Sequence, residues 1–255
     1  MNAQTRLVDL PPRGILPYVG LFLGGAMIVA LLLAAYGAMP RLNPHTTDGQ
    51  VASFDLDGEG SLAVFFSSFT LLAAGGVCLF NFTLLGGTRT PRRIWLWAAC
   101  CWSVMAIDEC ASLHEAFKEM MSHATGWRLG PEGCFWWIAA YGVVLSATGW
   151  KLLRAMRAGV PACVMFVSVA GFYGTAVLAE LGWLMAKDMR GVMVEEGCEM
   201  LGNFALLTSM ALFARHTARE LTKPPEAVLL ARFADEPQVL ALAPLGSRRD
   251  EPVGV

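Results

Sequence analysis

Apolar residues dominate six stretches of the chain, at 15–39, 61–85, 94–113, 133–150, 161–185 and 192–213, and polar segments separate them. A helix needs roughly 20 apolar residues to cross a hydrocarbon layer about 30 Å thick. Five of the runs approach or pass that length, and the fourth, at 133–150, is short. The pattern predicts an all-α polytopic membrane protein built as a six-transmembrane-helix bundle over residues 15–215. Residues 1–14 then form a cytosolic N-terminus, and 216–255, with Pro224, Pro225 and scattered charges, a cytosolic tail of disordered character. The first run is longer than a signal-peptide core and no small-x-small cleavage site follows it, so an uncleaved anchor is expected. Gly20 and Gly24 form a G-x-x-x-G pair, which predicts helix packing there.

Composition agrees with this class. Hydrophobic residues make up 55% of the chain and charged residues 16%, against about a quarter charged in soluble domains. The expected partner is therefore the lipid bilayer. A net charge of -2 gives no electrostatic case for nucleic acid, and no nucleic-acid-binding motif is present. The seven cysteines are odd in number and contain no C-x-x-C pair, which argues for packing residues over a disulfide framework or zinc ribbon.

Charge becomes informative when it is read loop by loop. Arg6, Arg13, Arg89, Arg92, Arg93, Lys151, Arg154, Arg157, Arg215, Arg219 and Lys223 fall on one side of a six-span arrangement. Arg41, Lys118, Arg128, Lys187 and Arg190 fall on the other. Loops rich in Lys and Arg stay cytoplasmic, so both termini are expected inside, with Trp95 and Trp97 in an interfacial aromatic belt. The acidic run Asp55-Leu56-Asp57-Gly58-Glu59 lacks the spacing of a calcium loop and reads as a turn before the second span. From there Glu59 is placed to reach the acidic residues of the outer end.

Those residues carry the candidate chemistry. The stretch Ala106-Ile107-Asp108-Glu109-Cys110-Ala111-Ser112-Leu113-His114-Glu115 places four ionisable side chains at the far end of the third run, and Glu195-Glu196-Gly197-Cys198-Glu199 opens the sixth. Ionisable groups in a span are costly and mark function by default. At about 1.5 Å per residue, Asp108 lies roughly 22 Å above Arg93 and Glu199 roughly 24 Å above Arg215, which is the same depth. By the same arithmetic Glu115, Glu195 and Glu180 form a second layer nearer the outer interface. Helical phase puts Asp108, Ser112, Glu115 and Glu119 on one stripe, Glu195, Glu196, Glu199 and Asn203 on another, and Tyr173, Glu180 and Lys187 on a third. Glu109 and His114 fall off the first stripe, about 100° and 120° away.

A solvated acidic rim is the plain explanation for such a pattern. Asp108 lies too deep for it, and like charges converging at one depth need protons, a cation such as Lys187, or a metal to hold them. The metal reading takes Asp108, His114, Glu115, Glu196 and Glu199 as ligands of a divalent ion, by analogy with carboxylate-bridged helical bundles. Glu195 and Glu180 then handle protons. The chain has no Glu-x-x-His pair, no His-rich boxes, no Ser-His-Asp elbow and no nucleotide loop.

The pattern D-E-x4-H-E (108–115) followed by E-E-x2-E-x2-G (195–202), preceded by Asp-Gly-Glu and a Ser-Ser pair, resembles a group of bacterial polytopic membrane proteins without an assigned activity. The resemblance covers 55–203 and implies a bacterial inner (plasma) membrane, with no reaction attached. The alkaline ceramidase type of helical-bundle hydrolase is a distant comparison only, since its multiple-His zinc pattern is missing. Three readings follow: a metal-dependent membrane enzyme acting on a lipid-like substrate, a proton- or cation-coupled transporter using the same acids, and a structural membrane subunit. An inverted repeat, which favours transport, is not evident.

Overall fold

The computed structural model describes residues 14–45, 51–56, 58, 60–87 and 92–222. Seven α-helices account for most of these: α1 Leu16–Leu42, α2 Leu62–Leu84, α3 Arg93–Ala111, α4 Leu113–Thr125, α5 Phe135–Met156, α6 Val160–Glu180 and α7 Met189–Thr222. Five of them, α1, α2, α3, α6 and α7, are long and apolar enough to cross a membrane. The all-α, multi-pass class is therefore as the hydrophobic pattern predicts. α5 has 22 residues, but Trp136, Trp137, Tyr141, Trp150 and Lys151 dilute its apolar character and it is not among the five. Glu59 lies outside the described residues.

The core is organised around α7, which packs against α6, α2 and α1, while α2 also packs against α3. At one level Trp95 of α3 stacks on Phe213 of α7 with ring centroids 4.6 Å apart. Polar side chains act as further glue where no water competes. Asn81 Nδ2 of α2 donates to the Met210 carbonyl of α7 (3.2 Å), and Ser209 Oγ of α7 donates to the Ala162 carbonyl of α6 (2.8 Å). The small residue that matters on α1 is Gly25. A Cβ there would fall 2.3 Å from the Phe204 ring, whereas Gly20 and Gly24 have nothing within 4 Å, so the expected G-x-x-x-G contact is displaced to the neighbouring position.

α5 lies along the outside of α3 and runs antiparallel to it. Trp97 Nε1 donates to Thr148 Oγ1 (2.9 Å) near one end, and Tyr141 OH donates to Asp108 Oδ2 (2.5 Å) near the other. Advancing eleven residues on α3 thus corresponds to retreating seven on α5.

Candidate functional site

The site is built at the corner between α3 and α4. The sequence periodicity predicts that the third helix runs on past Ser112, but the chain turns there: Ser112 adopts the left-handed conformation at φ 47 and ψ 43. A serine in that region is strained and must be held by its surroundings. Asp108 supplies the hold. Its Oδ1 accepts the backbone N–H of His114 at 2.6 Å, which satisfies one of the orphan donors at the start of α4. The same carboxylate lies 3.2 Å from His114 Nδ1 at both oxygens and accepts the Tyr141 hydroxyl. A residue placed 120° off the Asp108 stripe by helical phase is thereby brought into direct contact with Asp108.

His114 stands on α4, outside the apolar spans. Burial works against its positive charge, but the hydrogen bond and charge of Asp108, with Glu115 and Glu109 behind, outweigh burial and raise the imidazole pKa above its ordinary value. Its Nε2 faces Glu115 Oε1 at 3.7 Å, and its ring tilts against Trp137 with centroids 5.3 Å apart.

Asp108, His114 and Tyr141 form the polar end of a cavity of about 430 Å³ between α3, α4 and α5. The remaining walls are apolar and aromatic, including Trp97, Phe117, Trp137 and Leu145. Val104, Leu113 and Val144 line it while remaining exposed on the apolar surface, so the cavity opens sideways through that surface. Such a chamber, apolar with a few converging polar groups, has the form of a small-molecule site.

Behind it a chain of polar side chains crosses the bundle. Glu109 of α3 faces Ser67 of α2. Ser67 Oγ accepts from Asn203 Nδ2 of α7 at 2.5 Å, and Asn203 Oδ1 accepts from the Tyr173 hydroxyl of α6. Glu199 is within electrostatic range of Glu109, Glu195, Glu180 and Asp108.

The second layer is arranged differently from the expectation. The break at Ser112 carries Glu115 and Glu119 onto α4, where each meets a base: Glu115 Oε2 lies 2.5 Å from Lys118 Nζ, and Glu119 Oε1 lies 2.5 Å from Arg128 Nη2. Lys118 is buried and also lies 3.7 Å from Glu132. α6 ends at Glu180, and Lys187 reaches back from the following turn to pair with it. Burial opposes the Lys187 charge, yet pairing with Glu180, aided by Glu195 and Glu132, raises its pKa. Asp188 accepts the N–H groups of Arg190 and Gly191 at 2.9 and 3.0 Å and so caps α7, and these bonds lower its pKa.

The metal reading does not survive this arrangement. Among the described residues no group of three or more His, Cys, Asp or Glu side chains could hold a metal ion. Asp108, His114, Glu115, Glu196 and Glu199 do not converge as ligands, so the divalent metal cofactor and the metal-dependent enzyme are withdrawn, and with them the metal whose chemistry Glu195 or Glu180 was expected to serve. The physical reason is local. Asp108 is taken up by His114 and Tyr141, and Glu115 by Lys118. The cysteines are free, and Cys110 Sγ contacts Ser68 Oγ at 3.1 Å.

Tyr141 is the residue of this site that the acid-centred reading passes over, while Ser67 entered it only through the Ser-Ser pair of the resemblance. Tyr141 is one of only four tyrosines in the chain, and a tyrosine hydroxyl within a span needs a partner. That demand was the available signal. Ser67 and Ser68 lie within α2, one helical turn after its start.

Residues 20–214 match the family described as Domain of unknown function (DUF8692), and the chain belongs to that family. The match supports the uncharacterised membrane-protein family expected from the resemblance, without testing the individual motifs. No curated protein and no solved structure matches the chain.

Proposed function

We propose that the protein is a proton-coupled membrane transporter for a cationic amphiphile, which enters the side-opening cavity from the bilayer, pairs with Asp108 and displaces a proton from His114. The observation that carries this reading is the Asp108 carboxylate shared by His114 and Tyr141 at the polar end of an apolar cavity. In the unloaded form the His114 imidazolium is the counter-charge of Asp108. A cationic head that reaches Asp108 takes that place, and His114 gives up its proton through Glu115, which faces its other ring nitrogen, to the outer water. Trp97, Trp137 and Phe117 suit a cation with an apolar body. We place this activity in a bacterial inner membrane, with six spans and both termini cytoplasmic. The antiparallel course of α5 beside α3 and the charge asymmetry of the loops support that topology.

The test uses the full chain in weakly buffered detergent solution and an alkyl quaternary ammonium probe. Binding is expected to quench tryptophan fluorescence and to release about one proton per cation near neutral pH, and Asp108→Asn is expected to abolish both. In proteoliposomes, an imposed pH gradient then drives uptake of the probe. Absence of binding and proton release in the wild type overturns the proposal. Asp108 is then a cap for α4 and the protein a structural membrane subunit.

A further inference from the structure

The opposite end of α3 carries a second recess, lined by Phe82, Arg92, Arg93, Leu96, Trp97 and Cys100. Two of its residues, Trp97 and Cys100, also line the cavity that ends at Asp108. The two recesses therefore adjoin, and together they mark a line along α3 with two guanidinium groups at the start and apolar walls beyond them. At about 1.5 Å per residue, its Arg93 and Asp108 ends are roughly 22 Å apart.

The arginine end is a built feature. The Arg92 guanidinium lies over the Phe82 ring at 5.0 Å, which braces it against α2. Gly86 leaves it room: a Cβ there would come 3.2 Å from Arg92 Nη1. Other bases at this end are similarly seated on aromatic rings, Arg154 over Trp150 at 4.7 Å and Arg215 over Tyr18 at 5.7 Å. Arginine and aromatic side chains paired at the ends of apolar helices mark the headgroup level of a membrane. Among the described residues, no carboxylate is in ion-pair contact with Arg92 or Arg93.

From this geometry we infer a structural lipid site: the phosphate of an anionic phospholipid bound by Arg92 and Arg93, with an acyl chain lying along Leu96, Trp97 and Cys100. Charge complementarity selects the occupant, since guanidinium forks match phosphate oxygens and the walls below them accept hydrocarbon. The site does not depend on the transport reading, because it lies at the other end of α3 from Asp108.

The experiment is native mass spectrometry of the full-length protein released from mixed micelles that contain equal phosphatidylglycerol and phosphatidylcholine. The wild type is expected to retain one phosphatidylglycerol preferentially, and Arg92→Gln with Arg93→Gln to reduce that preference roughly 30-fold, at the scale of the attraction of two basic residues to anionic lipid. Bromine-labelled phosphatidylglycerol chains are expected to quench wild-type fluorescence more than that of Trp97→Phe. Equal retention of the two lipids, an unchanged preference in the double variant, or displacement by millimolar inorganic phosphate overturns the inference. Arg154→Gln, outside the recess, serves as the charge control. An equal loss in that variant also overturns the site, by showing a general charge effect.

Discussion

At the level of single residues, Asp108 decides how the outer end is built. It joins α3 to α4 through the His114 backbone, to the imidazole of the same residue, and to α5 through Tyr141. Tyr141→Phe removes one hydrogen bond to a charged acceptor and is expected to cost about 1.5–3 kcal/mol, read as a lowered melting temperature in detergent. The His114 pKa is raised in the folded protein. Its contribution to stability is therefore fully present below the ordinary value of 6.5 and is lost as pH rises through the raised value. Melting temperatures of the wild type should fall across that window more than those of His114→Gln, and parallel curves for the two proteins would remove the imidazolium from the account. The sequence made Asp108 and His114 legible as candidates, but it hid the contact between them and the part played by Tyr141, for different reasons. His114 depends on a left-handed serine that periodicity does not foresee, and Tyr141 depends on which neighbour α3 meets.

At the level of elements, the helices were legible because hydrocarbon imposes length and apolarity together. Their ends were not, because ends are set by local bonds. α3 stops at Ala111, where the chain passes to Ser112, and α7 continues to Thr222, beyond the apolar run. α4 illustrates the consequence: once it is a separate helix, its acids pair with Lys118 and Arg128 and leave the depth layer. The α1–α7 contact gives a sharp test. Gly25→Leu drives a side chain into the Phe204 ring and is expected to destabilise the bundle by about 1–3 kcal/mol. Gly20→Leu and Gly24→Leu meet nothing and should melt like the wild type. Thermal melts of the three variants check this, and an equal loss in all three would return the contact to the G-x-x-x-G pair.

At the level of the whole molecule, charge separates along the bundle axis. Arg92, Arg93, Arg154 and Arg215 cluster at the end where α2, α5 and α7 finish and α3 and α6 begin, while Asp108, Glu109, Glu180 and Glu199 belong to the opposite end. This polarity ties the proposed topology to α5, since Lys151, Arg154 and Arg157 at the C-terminal end of α5 share a side with Arg92 only if α5 crosses. Were α5 a surface element beside five spans, the tight contacts Trp97–Thr148 and Tyr141–Asp108, which hold it against α3 over most of that helix, would have to form on the membrane face alone. Reporter fusions decide between the two. A fusion after Trp127 should report the extracytoplasmic side and one after Arg157 the cytoplasmic side, because α5 lies between them and Arg154 and Arg157 are held inside. Fusions after Arg157 and after Thr222 should report the same side, since α6 and α7 form a pair of crossings. If Trp127 and Arg157 report one side, α5 does not cross, and the side-opening cavity must then face water at its α5 wall instead of lipid.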